Sequence, residues 1–173
     1  VQANYNARGL HIYSNGVVTL SNVTAMYNHG GCPECGGVFI KNDFGFASNV
    51  TLLGTNSFID NAQRGLYVSS LGIITLNNVS ANGNGHGVAT SDGWGAYLDN
   101  SGGVAKAVLI NGINSFGWNY WGGLAVFSKG AITVNNVSAN DNNNDNGVLL
   151  TNDLGTAQNV TLAGNTSVSN NAV

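Results

Sequence analysis

Apolar and polar residues alternate with a period of two along most of this chain. Within residues 73–77, Ile74 and Leu76 would face one way while Thr75 and Asn77 face the other, as in a strand with one buried face. The same apolar–Thr–apolar triplet recurs at residues 18–20, 50–52, 132–134 and 160–162. No segment shows the period of about 3.6 residues that marks an amphipathic helix. The pattern therefore predicts an all-β chain.

A long repeat made of two similar half-repeats occurs three times. A glycine opens each half-repeat: Gly9, Gly65 and Gly123 in the first halves, Gly37, Gly95 and Gly147 in the second halves. A short strand follows each glycine, with the inward pairs Leu10/Ile12, Val38/Ile40, Leu66/Val68, Ala96/Leu98, Leu124/Val126 and Val148/Leu150. Self-similarity on this scale is typical of solenoids, propellers and arrays.

A third strand can be aligned through all the half-repeats. It carries a hydroxyl residue at Thr24, Ser57, Ser80, Ser115, Ser138 and Ser167. Residues of alternating size follow, at Ala25, Phe58, Ala81, Phe116, Ala139 and Val168. Three positions further on stands an asparagine, at Asn28, Asn61, Asn84, Asn119, Asn142 and Asn171. Stacked coils would place these amides above one another as a hydrogen-bonded ladder, and the size alternation would fill a narrow interior.

These patterns predict a right-handed parallel β-helix of about six coils, arranged as three two-coil repeats with three short strands per coil. We expect one β-helix domain over residues 1–173. Residues 1–8 are similar to the end of a preceding repeat, so the chain is expected to be a segment of a longer solenoid or a subunit that stacks head-to-tail. Both ends should then expose strand edges that further repeats or identical subunits cover.

The segments Gly-Leu-Tyr-Val-x-x-x-Gly-Ile-Ile-Thr-Leu-Asn-Asn-Val-Ser-Ala-Asn and Gly-x-Asn-Ser-Phe resemble the right-handed β-helix repeats of the pectate-lyase-like superfamily. The resemblance covers nearly the whole chain and is greatest to the Asn- and Gly-rich repeats of large bacterial surface and adhesin-like proteins. It implies the fold. It implies no single activity, because that superfamily includes lyases, hydrolases, tailspikes, adhesins and inert stalks.

The composition argues against two kinds of partner, nucleic acid and the interior of a membrane. Only 8% of residues are charged, the formal net charge is −3, and five Lys and Arg residues give no basic surface for nucleic acid. No apolar run approaches the roughly 18 residues of a membrane-spanning helix. We therefore expect no nucleic-acid partner and no membrane span, and we expect an extracellular or cell-surface location.

Extra residues are concentrated at one corner, within residues 29–36, 85–94 and 143–146. The first of these loops contains Cys32 and Cys35, which we expect to form a local disulfide, as exported proteins often do. The alternative is a zinc site that adds His29 and His86 to the two thiolates. Four convergent ligands are not evident from the sequence, so we predict neither a metal nor a cofactor.

Enzymatic signatures are incomplete. Gly85-His86-Gly87 is similar to the Gly-His-Gly element of polygalacturonases, but the upstream aspartates and the downstream Arg-Ile-Lys element of those enzymes are missing. Asp141 and Asp145 flank an asparagine run without the carboxylate cluster and basic residue of a pectate lyase. We therefore predict no catalytic residue.

Aromatic residues are the remaining candidates for binding. Trp94, Trp118, Tyr120 and Trp121 lie near the loop corner, and His11, Phe39, Tyr67 and Tyr97 occupy equivalent outward positions of successive coils. Such rings stack on sugars, contact another subunit, or only stabilise the wall of the solenoid. We expect a non-enzymatic structural module, either a rod of a bacterial surface protein or a filament subunit. The alternatives are a carbohydrate-binding or adhesive module and, less favoured, a polysaccharide lyase or hydrolase.

Overall fold

The computed structural model describes residues 1–32, 34–86 and 92–172. Over these residues the chain is all-β, without a helix, and three parallel sheets wind into a solenoid of about five turns with three strands per coil. The predicted fold class is confirmed in these respects. The turn count is slightly below the predicted six coils, because the last coil reaches the third sheet only through the bridge between Ser138 and Ser167.

The first sheet contains one strand from each rung, and we number the rungs one to six by these strands. In order across the sheet they are β1 (Leu10–Tyr13), β4 (Val38–Asn42), β7 (Leu66–Ser70), β10 (Ala96–Asp99), β13 (Leu124–Phe127) and β16 (Val148–Thr151).

The second sheet also has six strands: β2 (Val18–Ser21), β5 (Val50–Leu53), β8 (Ile74–Asn77), β11 (Val108–Asn111), β14 (Ile132–Asn135) and β17 (Val160–Ala163). The third sheet has five: β3 (Thr24–Met26), β6 (Asn56–Ile59), β9 (Val79–Ser80), β12 (Asn114–Ser115) and β15 (Val137–Ser138). Equivalent residues of successive rungs pair directly, for example Thr19 with Thr51 and Phe39 with Tyr67.

The interior is apolar and alternates in size along the third sheet. Phe58 and Phe116 are fully buried and are separated by Ala81, which is also fully buried. A phenylalanine in one rung thus fills the space that the alanines above and below leave free, as close packing requires. The predicted size alternation is confirmed at these positions, whereas Val168 in the last rung is 46% exposed.

A second alternation, at the corner between the second and third sheets, helps to explain why the repeat is two rungs long. Asn78 has a φ of 48° and its side-chain oxygen accepts a hydrogen bond of 3.0 Å from the backbone N–H of Ile113. Gly112, with a φ of 80°, faces that oxygen so closely that a Cβ would overlap it. The same relationship joins Asn22 to Gly54 and Asn136 to Gly164. An asparagine in one rung therefore requires a glycine in the next.

No helix in the described part of the chain is long and apolar enough to cross a membrane.

Candidate functional site

The asparagine ladder runs through the six rungs at the corner that links the third sheet to the first. Except in the last rung, each Nδ2 donates to the Oδ1 of the asparagine in the next rung, over 2.8 Å from Asn28 to Asn61 and 3.0 Å from Asn84 to Asn119. The other steps are Asn61 to Asn84, Asn119 to Asn142 and Asn142 to Asn171. Each Oδ1 also accepts a hydrogen bond from the backbone N–H of the asparagine one rung before it, as Asn84 does from Asn61. Each Nδ2 also donates to a backbone carbonyl, as Asn84 does to Phe58. The buried amides are therefore fully paired, as a low-dielectric interior demands.

The glycine that opens each half-repeat packs directly against this ladder. A Cβ on Gly65 would lie 2.7 Å from Nδ2 of Asn84, and a Cβ on Gly95 would lie 2.7 Å from Nδ2 of Asn119. The opening glycines are thus required by close approach. The sequence shows that these glycines recur in every half-repeat. Their contact with the ladder is evident only from the folded structure.

The residue immediately before each of the six ladder asparagines has a left-handed backbone, as does Tyr5 at the equivalent position before Asn6. The φ values at this column are 58° (Tyr5), 55° (Tyr27), 52° (Asp60), 65° (Gly83), 53° (Trp118), 59° (Asp141) and 53° (Asn170). Gly, Asn and Asp tolerate this conformation well, whereas a bulky side chain there costs about 1–2 kcal/mol. Trp118, Tyr5 and Tyr27 are therefore held at positions that their own conformational preferences disfavour.

Trp118 is the most exposed of the candidate sugar-contact residues at this corner. It is 64% exposed, and its carbonyl oxygen lies 3.0 Å from Nε2 of His86. The His86 ring meets Tyr120 edge-on, with the ring centroids 6.0 Å apart. Tyr120 and Trp121 are half-buried. The structure thus leaves the Trp118 indole open to solvent, while its backbone carbonyl contacts His86.

Trp94 is the buried member of the candidate contact residues near this corner. It is only 6% exposed, and its ring lies over Gly122, where a Cβ would overlap the indole. Trp94 also meets Tyr97 edge-on at 6.5 Å. The absence of a side chain at Gly122 creates the slot that buries the indole, so Trp94 contributes to the wall of the solenoid and not to an open contact surface.

The outward aromatic residues of the first sheet form one continuous stack. The ring centroids are 5.2 Å apart between His11 and Phe39, 4.7 Å between Phe39 and Tyr67, and 5.8 Å between Tyr67 and Tyr97. All four side chains are half-buried. Burial raises the pKa of the hydroxyl groups of both tyrosines. The stack stabilises the wall along four rungs, as offset aromatic pairs do.

Arg64 lies across this stack. Its guanidinium is 4.8 Å from the ring centre of Tyr67 and 4.7 Å from that of Tyr97, and it forms an ion pair with Asp92. Burial raises the pKa of the Asp92 carboxyl, and the nearby Arg64 charge opposes this shift only in part. Arg64 thus joins the aromatic face to the beginning of the segment that leads into β10.

Cys32 and Cys35 are joined by a disulfide, with their Cα atoms 5.0 Å apart. Their thiolates are thereby unavailable to the alternative zinc site. Among the described residues, no group of three or more His, Cys, Asp and Glu side chains lies close enough together to hold a metal ion. Beside the disulfide, Glu34 accepts a hydrogen bond of 2.9 Å from the Tyr13 hydroxyl, which raises the pKa of Tyr13.

The Gly-His-Gly element is only partly described. His86 is exposed and contacts Trp118 and Tyr120, whereas Gly87 lies outside the described residues. Asp141 occupies the left-handed column next to the ladder, and Asp145 accepts hydrogen bonds from its neighbour Asn146. The structure therefore gives Asp141 a place in the corner and Asp145 a local contact within its own loop.

The sequence patterns did not reveal a second set of buried asparagines. Asn56 and Asn114 are almost fully buried in the third sheet, where they pair with Val79 and Val137. The Asn114 oxygen accepts the backbone N–H of Val79 at 3.0 Å, and its amide donates to two carbonyls. The recurrent Gly-x-Asn-Ser-Phe segment contains these asparagines. Because valine takes the equivalent position in the intervening rungs, the sequence does not show them as a continuous column.

A cleft of about 720 Å³ lies along the third sheet between rungs four and six. Its lining combines exposed Ile113 with the amides of Asn136 and Asn165 and the hydroxyls of Ser138 and Thr166. Uncharged hydrogen-bonding groups beside an apolar side chain suit an uncharged polar ligand better than an ionic one.

No protein-family model, curated protein or solved structure matches this chain. The local geometry and the fold are therefore the basis for assigning a function.

Proposed function

We propose that the protein is a non-enzymatic structural module, a stiff β-helical rod. The observation that carries this proposal is the uninterrupted ladder from Asn28 to Asn171, in which each rung is hydrogen-bonded to the next through side chains as well as backbone. A fully satisfied buried polar network gives rigidity and a unique register. Rigidity along one axis is the property that a spacer or stalk requires.

The strand edge at β17 supports a role in a longer assembly. Val160 and Leu162 of this strand are 44% and 47% exposed, and Val168 beyond it is 46% exposed. Apolar strand edges readily pair with another chain. We propose that further rungs, from the same polypeptide or from an identical subunit stacked head-to-tail, cover this edge. The rod would then belong to an extracellular surface protein, similar to the bacterial adhesin-like repeats, or to a filament.

Electron microscopy across a concentration series tests this proposal. We expect rods of constant width, either short and uniform or lengthening with concentration. Growth by stacking should stop in Leu162→Lys, which places a charge on the β17 edge, and should persist in Ile113→Lys, which places the same charge at an exposed corner. Globular particles, or release of oligosaccharides from a uronate polymer by the purified protein, would contradict a structural rod.

A carbohydrate-binding or adhesive module is the second candidate, and Trp118 favours it. A tryptophan that is 64% exposed in a left-handed conformation carries strain that a binding role would explain. The polar cleft on the third sheet offers hydroxyl and amide partners for a sugar. Glycan-array binding that is lost in Trp118→Asn and kept in Tyr5→Asn would promote this candidate, since both changes relieve strain in the same column. Equal binding by both variants would count against it.

A further inference from the structure

The loop that joins β3 to β4 carries the disulfide between Cys32 and Cys35, which are only three positions apart. A disulfide stabilises a fold mainly by restricting the unfolded chain, and this restriction grows with the number of residues inside the closed ring. A ring as short as this one restricts the unfolded chain little. The disulfide is therefore poorly placed to act as a staple for the solenoid.

Backbone contacts hold this loop at both of its ends. The N–H of His29 donates to the carbonyl oxygen of Asn6 at 2.9 Å, and the N–H of Gly37 donates to that of Arg64 at 3.0 Å. Gly36 lies so close to the backbone of Arg64 that a Cβ would overlap the Arg64 carbonyl oxygen. These contacts join the loop to the rung before it and to the rung after it. Its path is consequently fixed without the S–S bond.

The two cysteine side chains differ in exposure. Cys35 is only 3% exposed, and its sulfur would lie 2.6 Å from a Cβ on Gly30, so it is packed against the backbone of the loop. Cys32 is only half-buried, and the adjacent Gly31 is exposed, with open space where a side chain would be. An external thiolate therefore reaches the sulfur of Cys32 more easily than that of Cys35. Because the sulfur that is attacked decides which cysteine leaves, this difference gives thiol–disulfide exchange a direction.

Hydrogen bonds that do not involve sulfur keep the two cysteines together. The N–H of Cys35 donates to the carbonyl oxygen of Cys32 at 2.8 Å. Glu34, between them, accepts the Tyr13 hydroxyl at 2.9 Å, which ties the loop to the first sheet. When the S–S bond opens, the sulfur of Cys35 thus stays beside Cys32 at a high effective concentration and is able to close the bond again.

We infer that Cys32 and Cys35 form an exchangeable disulfide, through which the protein reacts with an external thiol at Cys32. The thiolate attacks Sγ of Cys32, a new S–S bond forms as the bond to Cys35 breaks, and Cys35 leaves as a thiolate that takes up a proton. A monothiol gives a mixed disulfide on Cys32.

A dithiol completes the reduction. Its second thiolate displaces Cys32 from the mixed disulfide, so that the dithiol becomes a disulfide and supplies two electrons and two protons to the two cysteines. The loop lies outside the three sheets. The reaction therefore leaves the solenoid intact, and the inference does not rest on the proposed rod function.

Equilibration with glutathione tests whether the disulfide is exchangeable. The folded protein is incubated without denaturant at graded ratios of reduced to oxidised glutathione, quenched with acid and analysed by mass spectrometry. We expect the disulfide, the mixed disulfide and the dithiol form within this series, because a labile disulfide equilibrates with glutathione whereas a structural one resists it. Dithiothreitol, a dithiol, should give the dithiol form without a lasting adduct. A disulfide that stays oxidised throughout the glutathione series would overturn the inference.

A matched pair of variants tests the direction of the exchange. Cys35→Ser leaves the sulfur of Cys32, and Cys32→Ser leaves the sheltered sulfur of Cys35. We expect oxidised glutathione to react about tenfold or more faster with Cys35→Ser, since the reactivity of a thiol follows its exposure. Peptide mapping of the acid-quenched parent protein should likewise place glutathione on Cys32. Equal rates, or an adduct on Cys35, would refute attack at Cys32.

Urea denaturation separates an exchange site from a structural staple. The double variant Cys32→Ser/Cys35→Ser should unfold at nearly the same urea concentration as the oxidised parent protein, because the backbone contacts of the loop remain. Asn84→Leu, which disrupts the ladder, is the destabilised reference. A midpoint of the double variant that falls as far as that of Asn84→Leu would show that the disulfide is a staple and would count against the inference.

Discussion

Asn100 donates a hydrogen bond of 2.8 Å from Nδ2 to the carbonyl oxygen of Lys106 and thereby closes the loop between β10 and β11. The same amide lies 3.3 Å from the carbonyl oxygens of Gly72 and Ala107. Asn100 is fully buried, and its Oδ1 has no hydrogen-bond partner among the described residues. The loop is therefore held by the Nδ2 group of Asn100 and not by its Oδ1.

Replacing Asn100 tests that conclusion. We expect Asn100→Ala to lower the free energy of unfolding by about 1–3 kcal/mol, because it leaves buried carbonyls without their donor. Asn100→Asp should cost more, since a buried carboxylate would face those carbonyls. Urea denaturation measures both. Asn152→Ala is the matched control, because it removes the same bond from a half-buried position, and its effect should be smaller. Equal effects at both positions would argue against burial as the cause.

The ladder offers a second comparison between an interior and a terminal position. Asn84 donates to Phe58 and Asn119 and accepts from both the backbone and the side chain of Asn61. Asn84→Leu should therefore cost about 3 kcal/mol or more, because several buried groups lose their partners at once. Asn171→Leu should cost less, since Asn171 is only half-buried. An unchanged urea midpoint for Asn84→Leu would contradict the stabilising role of the ladder.

The elements that can be predicted from the sequence are those in which every rung repeats the same residue type. Leu66 and Val68 illustrate this for the core, and Asn61 and Asn84 illustrate it for the ladder, because like residues at equal intervals must stack in any solenoid. Composition and spacing alone specify these features.

Features that depend on contacts between unlike residues cannot be predicted from the sequence in this way. The burial of Trp94 depends on the missing side chain of Gly122 one rung away. Asn56 alternates with Val79, so its column looks irregular in the sequence. The left-handed conformation of Trp118 follows from its place before Asn119, although tryptophan itself disfavours it. Such relationships appear only once the register between rungs is known.

The asparagine–glycine corner predicts that replacement by alanine destabilises the protein at Gly112 much more than at Gly16. Gly112→Ala should destabilise the protein by about 1–2 kcal/mol or more, since Gly112 has a φ of 80° and the added methyl group would overlap the Asn78 side chain. Gly16→Ala should be almost neutral, because the nearest atom to a Cβ there is 3.9 Å away. Thermal unfolding of both variants measures the difference. Pairing Gly112→Ala with Asn78→Gly should recover part of the loss, and a failure to recover any would leave backbone strain as the whole cause.

Asp92 predicts a dependence of stability on pH. Burial raises the pKa of its carboxyl above the ordinary value of 3.8, so the folded protein binds more protons than the unfolded chain between that value and the raised one. The contribution of Asp92 to stability therefore falls as the pH rises through this window and is constant above it. We expect Asp92→Asn to match the parent protein at about pH 3 and to become relatively more stable towards about pH 6. Urea titrations at a series of pH values measure this difference, with Asp153→Asn on an exposed loop as the control for losing one negative charge. A relative stability of Asp92→Asn that falls with rising pH would mean that the ion pair with Arg64 outweighs the cost of burying the carboxylate.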